Sequence, residues 1–237
     1  MDQHRRAAAG AGHPEGNHAL EQLVARVPLF SKLDRAELRE VAGRVRPAPF
    51  RKNHQFYGAG ESNSQLMIIH SGRVKIYRIT ESGREQVLRV LGPGDFFGES
   101  TFIGGAPSDH FATTAEDSNI CVLHHDDIRD YLLRYPTVAY KMLETLSNRL
   151  GRTEQQLSSL AGEDAEHRIA EYLLELVDQA RSAAITLPVV KKDVASFLGL
   201  TPETLSRKLA QFEESGWIRL YPRRRIDVLD PAALRLL

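Results

Sequence analysis

The sequence predicts an α+β chain in three parts: an N-terminal antiparallel β-roll of jelly-roll type, a long helix, and a C-terminal winged helix-turn-helix. Three observations carry this expectation. Short β-prone runs between about Pro47 and His125 are separated by glycine-rich breakers. Leucines after Pro136 recur at intervals of 3 and 4. Thr201–Lys208 reads TPETLSRK, the opening of a capped helix with hydrogen-bonding side chains along one face.

Taken in chain order, residues 1–17 are small and polar, with Gly10, Gly12, Pro14 and Gly16, and read as a disordered tail. Residues 18–135 are expected to form the roll with flanking helices. Leu20 to Val27 and Leu33 to Val45 read as short helices, the second capped by Ser31 or Asp34 with Leu38 and Val41 inward. Strands are expected at Phe56-Tyr57, Met67 to His70, Arg73 to Ile79, Gln86 to Leu91, Phe111 to Thr114 and Ile120 to Leu123. Breakers such as Ser71-Gly72, Gly92-Pro93-Gly94-Asp95 and Gly104-Gly105 separate them, the spacing of a small antiparallel barrel able to hold one ligand.

Asp126 to Tyr135 reads as a further short helix, and a long one is expected over 136–162. Leu143, Leu146, Leu150, Thr153, Leu157 and Leu160 follow spacings of 3, 4, 3, 4, 3, a coiled-coil seam. The alternative is a helix packed on its own roll. The regularity of the seam favours a parallel homodimer. Ala161 to Asp164 reads as a hinge, and residues 163–237 as the third domain, opening on an amphipathic helix from Ala165 to Arg181.

In that last domain Lys191 to Phe197 is a short amphipathic helix, followed by Gly199 at a tight turn. Thr201 is placed to cap the next helix, and Pro202 falls at its first position, where a missing N–H does no harm. Glu203, Ser206 and Arg207 then share one face, while Leu205, Leu209 and Phe212 form the opposite one. Carboxylate, hydroxyl and guanidinium each match base edges in a DNA major groove. Trp217 to Leu220 and Ile226 to Leu229 read as a hairpin wing with Tyr221-Pro222-Arg223-Arg224-Arg225 at its tip. From Lys191 through Arg225, eight Lys/Arg face four Asp/Glu, a local balance of +4 in a chain of zero formal net charge. Base contacts are therefore expected from Glu203, Ser206 and Arg207, and phosphate contacts from Thr201, Lys208, Arg223, Arg224 and Arg225.

Composition narrows the function classes. With 42% hydrophobic and 26% charged residues in 237, the chain reads as an ordinary globular protein. Its apolar runs are only a few residues long, so no membrane span is expected, and the start of the chain lacks a secretory h-region. One cysteine, Cys121, excludes an intramolecular disulfide, and a reducing cytoplasm is the simplest location.

A glycine-punctuated roll, a long dimer helix and a winged helix together resemble the Crp/Fnr superfamily of bacterial transcription regulators. The resemblance covers the chain after its tail and implies a cyclic-nucleotide-binding-like jelly roll that senses, a homodimer on double-stranded DNA, and RNA polymerase as a partner. Glu203, Ser206 and Arg207 resemble the Fnr-type Glu-x-x-Ser-Arg pattern, which implies palindromes of the kind TTGAT–N4–ATCAA. Ser71 to Arg78, Ala112 to Ala115 and His167 to Leu174 resemble the Dnr-type branch. That branch implies an activator responding to nitric oxide through haem.

Gly98-Glu99 matches the start of a cyclic-nucleotide phosphate cassette, but no Arg or Lys occurs from Val90 through Ile128. An anionic phosphate would meet Glu99 and Asp109 with no cation from this segment, which disfavours cAMP. Arg73 or a partner-chain residue stays open as a source. An iron–sulfur cluster needs about four thiolates, and one cysteine rules it out within one chain. Cys121 sits in an apolar strand-like run and reads as a core residue, with a redox role as the alternative. For haem, His70, His110 and His167 are the candidate ligands, and no spacing selects among them. Another small molecule, or activity without an effector, also stays open. No His-x-His pair, nucleophile motif or P-loop is present, so an enzyme is not expected.

Overall fold

The computed structural model describes residues 24–25, 27–30, 33–44, 47–63, 65–99, 105–124, 132–162 and 164–237, with backbone alone at 28, 43–44, 152 and 155–162. The expected tail, most of the first helix, Ser31, His125, and most of the Asp126–Tyr135 helix lie outside the described residues, as do the side chains of Leu157 and Leu160.

Helix α1 (Arg35–Arg44) starts as expected at Asp34. The Asp34 carboxylate accepts from the N–H groups of Ala36 and Glu37, and Glu37 accepts in return from the Asp34 N–H at 2.8 Å. This reciprocal capping box satisfies first-turn donors. Eight strands then build the roll: β1 (Pro47–Phe50), β2 (Gln55–Tyr57), β3 (Gln65–Ser71), β4 (Val74–Ile79), β5 (Glu85–Leu91), β6 (Phe96–Phe97), β7 (Phe111–Thr114) and β8 (Ser118–His124). They form two antiparallel sheets, ordered β1-β8-β3-β6 and β2-β7-β4-β5. Six of these strands lie where the sequence places them. β1 was not expected, because Pro47 and Pro49 argue against a strand; it survives as a sheet edge, where missing N–H groups cost least.

Leu66-Met67-Ile68-Ile69 is apolar without alternation. Successive side chains point to opposite faces of β3. Met67 and Ile69 enter the roll interior with Tyr57, Ile76 and Phe97, while Leu66 and Ile68 pack outward against Val41, Val138 and Met142. Both faces are covered, so both are apolar. Gly72 (φ +89°) sits where a Cβ would come within 2.2 Å of Ser118 Oγ, which closes the β3–β4 turn to glycine alone.

The long helix α2 (Pro136–Gly162) runs from the roll. Helix α3 (Ala165–Ala180) follows, capped by Asp164, which accepts from the N–H groups of Glu166 and His167. Beyond it come β9 (Ala184–Thr186), α4 (Lys191–Phe197), α5 (Pro202–Glu214), β10 (Ile218–Leu220), β11 (Arg225–Val228) and α6 (Pro231–Leu234). The wing is a three-stranded sheet, β10-β11-β9. β9 escapes a sequence reading because only Ile185 of its three residues is buried. None of the described helices is long and apolar enough to cross a membrane.

Candidate functional site

The face expected to read DNA is assembled as the sequence implies. Thr201 takes an extended conformation and its Oγ1 accepts from the Thr204 N–H at 3.1 Å, with Pro202 at the start of α5. Leu205, Leu209 and Phe212 are buried with Val194, Ile218 and Ile226. That burial fixes the rotation of α5, leaving Glu203, Ser206 and Arg207 exposed together on the outer face. Gly199 (φ +66°) makes the turn between α4 and α5.

The expected phosphate contacts divide. Arg223 and Arg224 occupy the two central positions of the wing tip at φ +59° and +71°, both left-handed, where a primed hairpin turn ordinarily takes Asn and Gly. This strained turn leaves Arg223 exposed. Arg224 turns inward, its Nη1 donating to the Pro188 carbonyl at 2.9 Å. Arg225 forms a two-pronged pair with Asp227 and lies over the Tyr221 ring. Asp227 is held below the usual carboxylate range, first by its hydrogen bond from Arg225. Lys208 is half-buried and pairs with Glu166 on α3. Thr201 remains exposed. Local charge counting could not separate these roles, because the partners of Lys208 and Arg224 lie on other elements.

The seam on α2 also divides. Leu143 and Leu150 are 65% and 61% exposed, and Thr153 is exposed beside them. Tyr140 adds a further exposed ring at 64%. Leu146 departs from the expectation: it packs against the roll core, following Val138 and Met142 on the inward face. The helix is thus apolar on two sides, and a 3-4 spacing cannot tell which leucine belongs to which.

Inside the roll the structure brings together residues that the sequence left apart. Gly98 (φ +90°) lies where a Cβ would stand 2.5 Å from the Gln65 carbonyl, and this tight turn carries Glu99 inward. Glu99 is buried and accepts from Arg149 Nη1 of α2 at 3.1 Å; Arg89 of β5 stands at 3.6 Å. Arg149 also donates to the Phe96 carbonyl at 2.8 Å and lies over the Phe96 ring. The segment 90–128 does lack cations, as read, yet the fold supplies two guanidinium groups from outside it. An anion entering here would meet these two guanidinium groups beside Glu99. A detectable hint was Arg149 itself, a lone cation continuing the inward stripe of Val138, Met142 and Leu146.

Of the candidate haem ligands, His110 is buried with both ring nitrogens engaged, Nε2 with the Tyr57 hydroxyl at 3.3 Å and Nδ1 with Asp109 at 2.7 Å. Ligating iron through either nitrogen would break one of these contacts, so His110 does not fit the role. His70 lies on β3 and His167 in the first turn of α3, both half-buried. Among the described residues, no three His, Cys, Asp or Glu side chains are arranged to hold a metal ion. Cys121 is buried on β8, and that burial pushes its thiol up to about 11.

Comparison with known proteins agrees with this architecture. The cyclic nucleotide-binding domain family matches residues 47–135, and the Crp-like helix-turn-helix domain family matches residues 167–237. The chain is 30% identical over 206 residues to a CRP-like cAMP-activated global transcriptional regulator of Mycobacterium tuberculosis, covering 85% of this chain and 92% of that protein. It is 29% identical over 191 residues to the nitrogen fixation regulation protein FixK of Rhizobium meliloti, covering 80% and 86%. The solved structure of FixK2 from Bradyrhizobium japonicum superposes with a TM-score of 0.74 at 26% identity, over 81% of this chain and 96% of that one. These relatives are regulators, not enzymes. The roll, the long helix and the winged domain thus place this chain in the Crp/Fnr family of DNA-binding transcription regulators.

Proposed function

We propose that the chain acts in the cytoplasm as a homodimer, reading Fnr-type palindromes with Glu203, Ser206 and Arg207 and activating transcription with RNA polymerase. The observation that carries this reading is the exposed Glu203-Ser206-Arg207 face on a helix whose rotation is fixed by buried Leu205, Leu209 and Phe212. Arg207 reads guanine, and Arg223 and Thr201 hold phosphates. Tyr140, Leu143 and Leu150 form the exposed part of the dimer face, since apolar side chains of this size gathered on one helix face mark a contact surface. Arg207→Ala is expected to weaken binding to TTGAT–N4–ATCAA by about 1–3 kcal/mol and to relax preference at one base pair. Unchanged affinity and preference in a fluorescence-anisotropy titration would remove Arg207 from base reading.

The Dnr-like segments support nitric oxide through haem as the effector, with His70 or His167 as the remaining ligand candidates. The Glu99, Arg89 and Arg149 cluster favours a second reading, an anionic small molecule inside the roll, as cAMP activates the Mycobacterium tuberculosis relative. Haem with nitric oxide, and separately cAMP, are to be titrated into the dimer while palindrome binding is followed. A stoichiometric Soret band with nitric-oxide-dependent DNA binding supports the first reading. A response to cAMP that Arg89→Ala abolishes supports the second.

A further inference from the structure

The roll and the DNA-binding domain meet along one strand. β5 is the outer strand of its sheet, so alternate backbone groups on its free side lack a strand partner. Helix α4 lies against that edge. The Val87 N–H donates to Ser196 Oγ at 2.9 Å, and the Ser196 hydroxyl donates to the Glu85 carbonyl at 2.8 Å. One side chain thus occupies both an outward N–H and an outward C=O of the edge. Asp193, one turn earlier on the same face, meets Lys75 Nζ at 3.4 Å, and Lys75 also donates to Glu85 at 2.6 Å. Lys75 and Asp193 are each only 14% exposed. At the other end of the contact, Arg224 of the wing approaches Glu116 of the roll at 3.8 Å.

The polar contacts are joined by apolar ones, since Val90 and Ala115 of the roll pack against the buried core of the DNA-binding domain. Beside this contact the two domains leave a cavity of about 480 Å³, bordered by Arg73, Pro93, Arg168, Tyr172 and Phe197. The reading face of α5 is untouched by it, since Glu203, Ser206 and Arg207 stay exposed.

We propose that Ser196 and Asp193 form a latch on the edge of β5 that positions the DNA-binding domain on its own sensor roll in a DNA-competent orientation. In a helix-turn-helix the first helix crosses the backbone and the second enters the groove. Holding α4 therefore aims α5. With the latch closed, much of the orientational freedom of the domain is lost before DNA arrives, and affinity rises accordingly. Because β5 also carries Arg89, which faces Glu99, the latched strand joins the interior of the roll directly to the helix-turn-helix. The relay does not have to pass through α2.

The test uses the full chain, with Ser196→Ala and Asp193→Asn made separately. Neither substitution removes a side chain from the buried core of either domain, and circular dichroism is expected to match the wild type. Amide hydrogen exchange at Val87 reads the latch without DNA, because no strand protects that N–H. Ser196→Ala is expected to speed exchange at Val87 by about tenfold while Tyr77 and Ile76 on the neighbouring strand stay protected. In both variants, affinity for TTGAT–N4–ATCAA is expected to fall about fivefold with the same base preferences. Unchanged exchange at Val87 in Ser196→Ala would overturn the latch. Lost protection with equal or tighter DNA binding would overturn its positioning role. The DNA arm rests on the proposed operator: if wild-type protein ignores the palindrome, that operator fails and the exchange arm alone decides the latch.

Discussion

The winged domain and the sensor roll belong to one chain but are built on opposite principles. On α5, the cap, the buried stripe and the reading face are interleaved within Thr201–Phe212, so helical periodicity brings them together. In the roll, Glu99 is paired with Arg149, 50 residues further along and on a different type of element. Local periodicity carries no information about such a meeting. A reading site on one helix is a property of a short sequence, whereas a binding site inside a barrel is a property of its closure.

Four substitutions or modifications sharpen this contrast. The largest is Arg149→Ala. Among the described residues it leaves the buried Glu99 carboxylate with Arg89 at 3.6 Å as its ion-pair partner, and it removes the Arg149 donor from the Phe96 carbonyl. Breaking a buried pair this way should cost about 3 kcal/mol, read as a lower urea midpoint. Arg207→Ala, on the exposed face, should shift the same midpoint by less than about 0.5 kcal/mol. Equal effects of the two would erase the distinction between a structural charge in the roll and a reading charge on α5.

Thr201→Ala is the intermediate case. Losing the hydroxyl that accepts from Thr204 N–H should cost about 1 kcal/mol of stability and weaken DNA binding through fraying of the first turn. Ser at this position should restore both.

Cys121 is the smallest, an expected absence of reaction. Because burial raises its thiol to about 11, the native protein holds far less thiolate at pH 8 than the unfolded chain. Alkylation by iodoacetamide should be at least about a hundredfold slower in native protein than in urea, and faster only as pH climbs toward 11. Rapid native labelling would restore a redox role for this residue.

Much of the fold could be read from residue order. The runs at Val74–Ile79 and Phe111–Thr114 needed only glycine breakers and β-branched residues, Lys191–Phe197 follows from its apolar spacing, and Asp34, one of two candidate caps, follows from local hydrogen-bonding chemistry. What could not be read shares one cause. A spacing of 3 and 4 marks an apolar face without naming what covers it, so it cannot show that Leu146 meets the roll. A charge run likewise does not show that Lys208 meets Glu166 or that Arg224 meets the Pro188 carbonyl on another element.

The order of residues by itself determined the class of fold, the boundaries of most elements, and the composition of the exposed face on α5, because each depends on interactions within a few residues. Tertiary structure alone decided which charges are spent on internal partners, that Arg89 and Arg149 reach Glu99, and that Ser196 seals the edge of β5. Those depend on the packing of distant elements, where a contact exists only once the chain has closed around it.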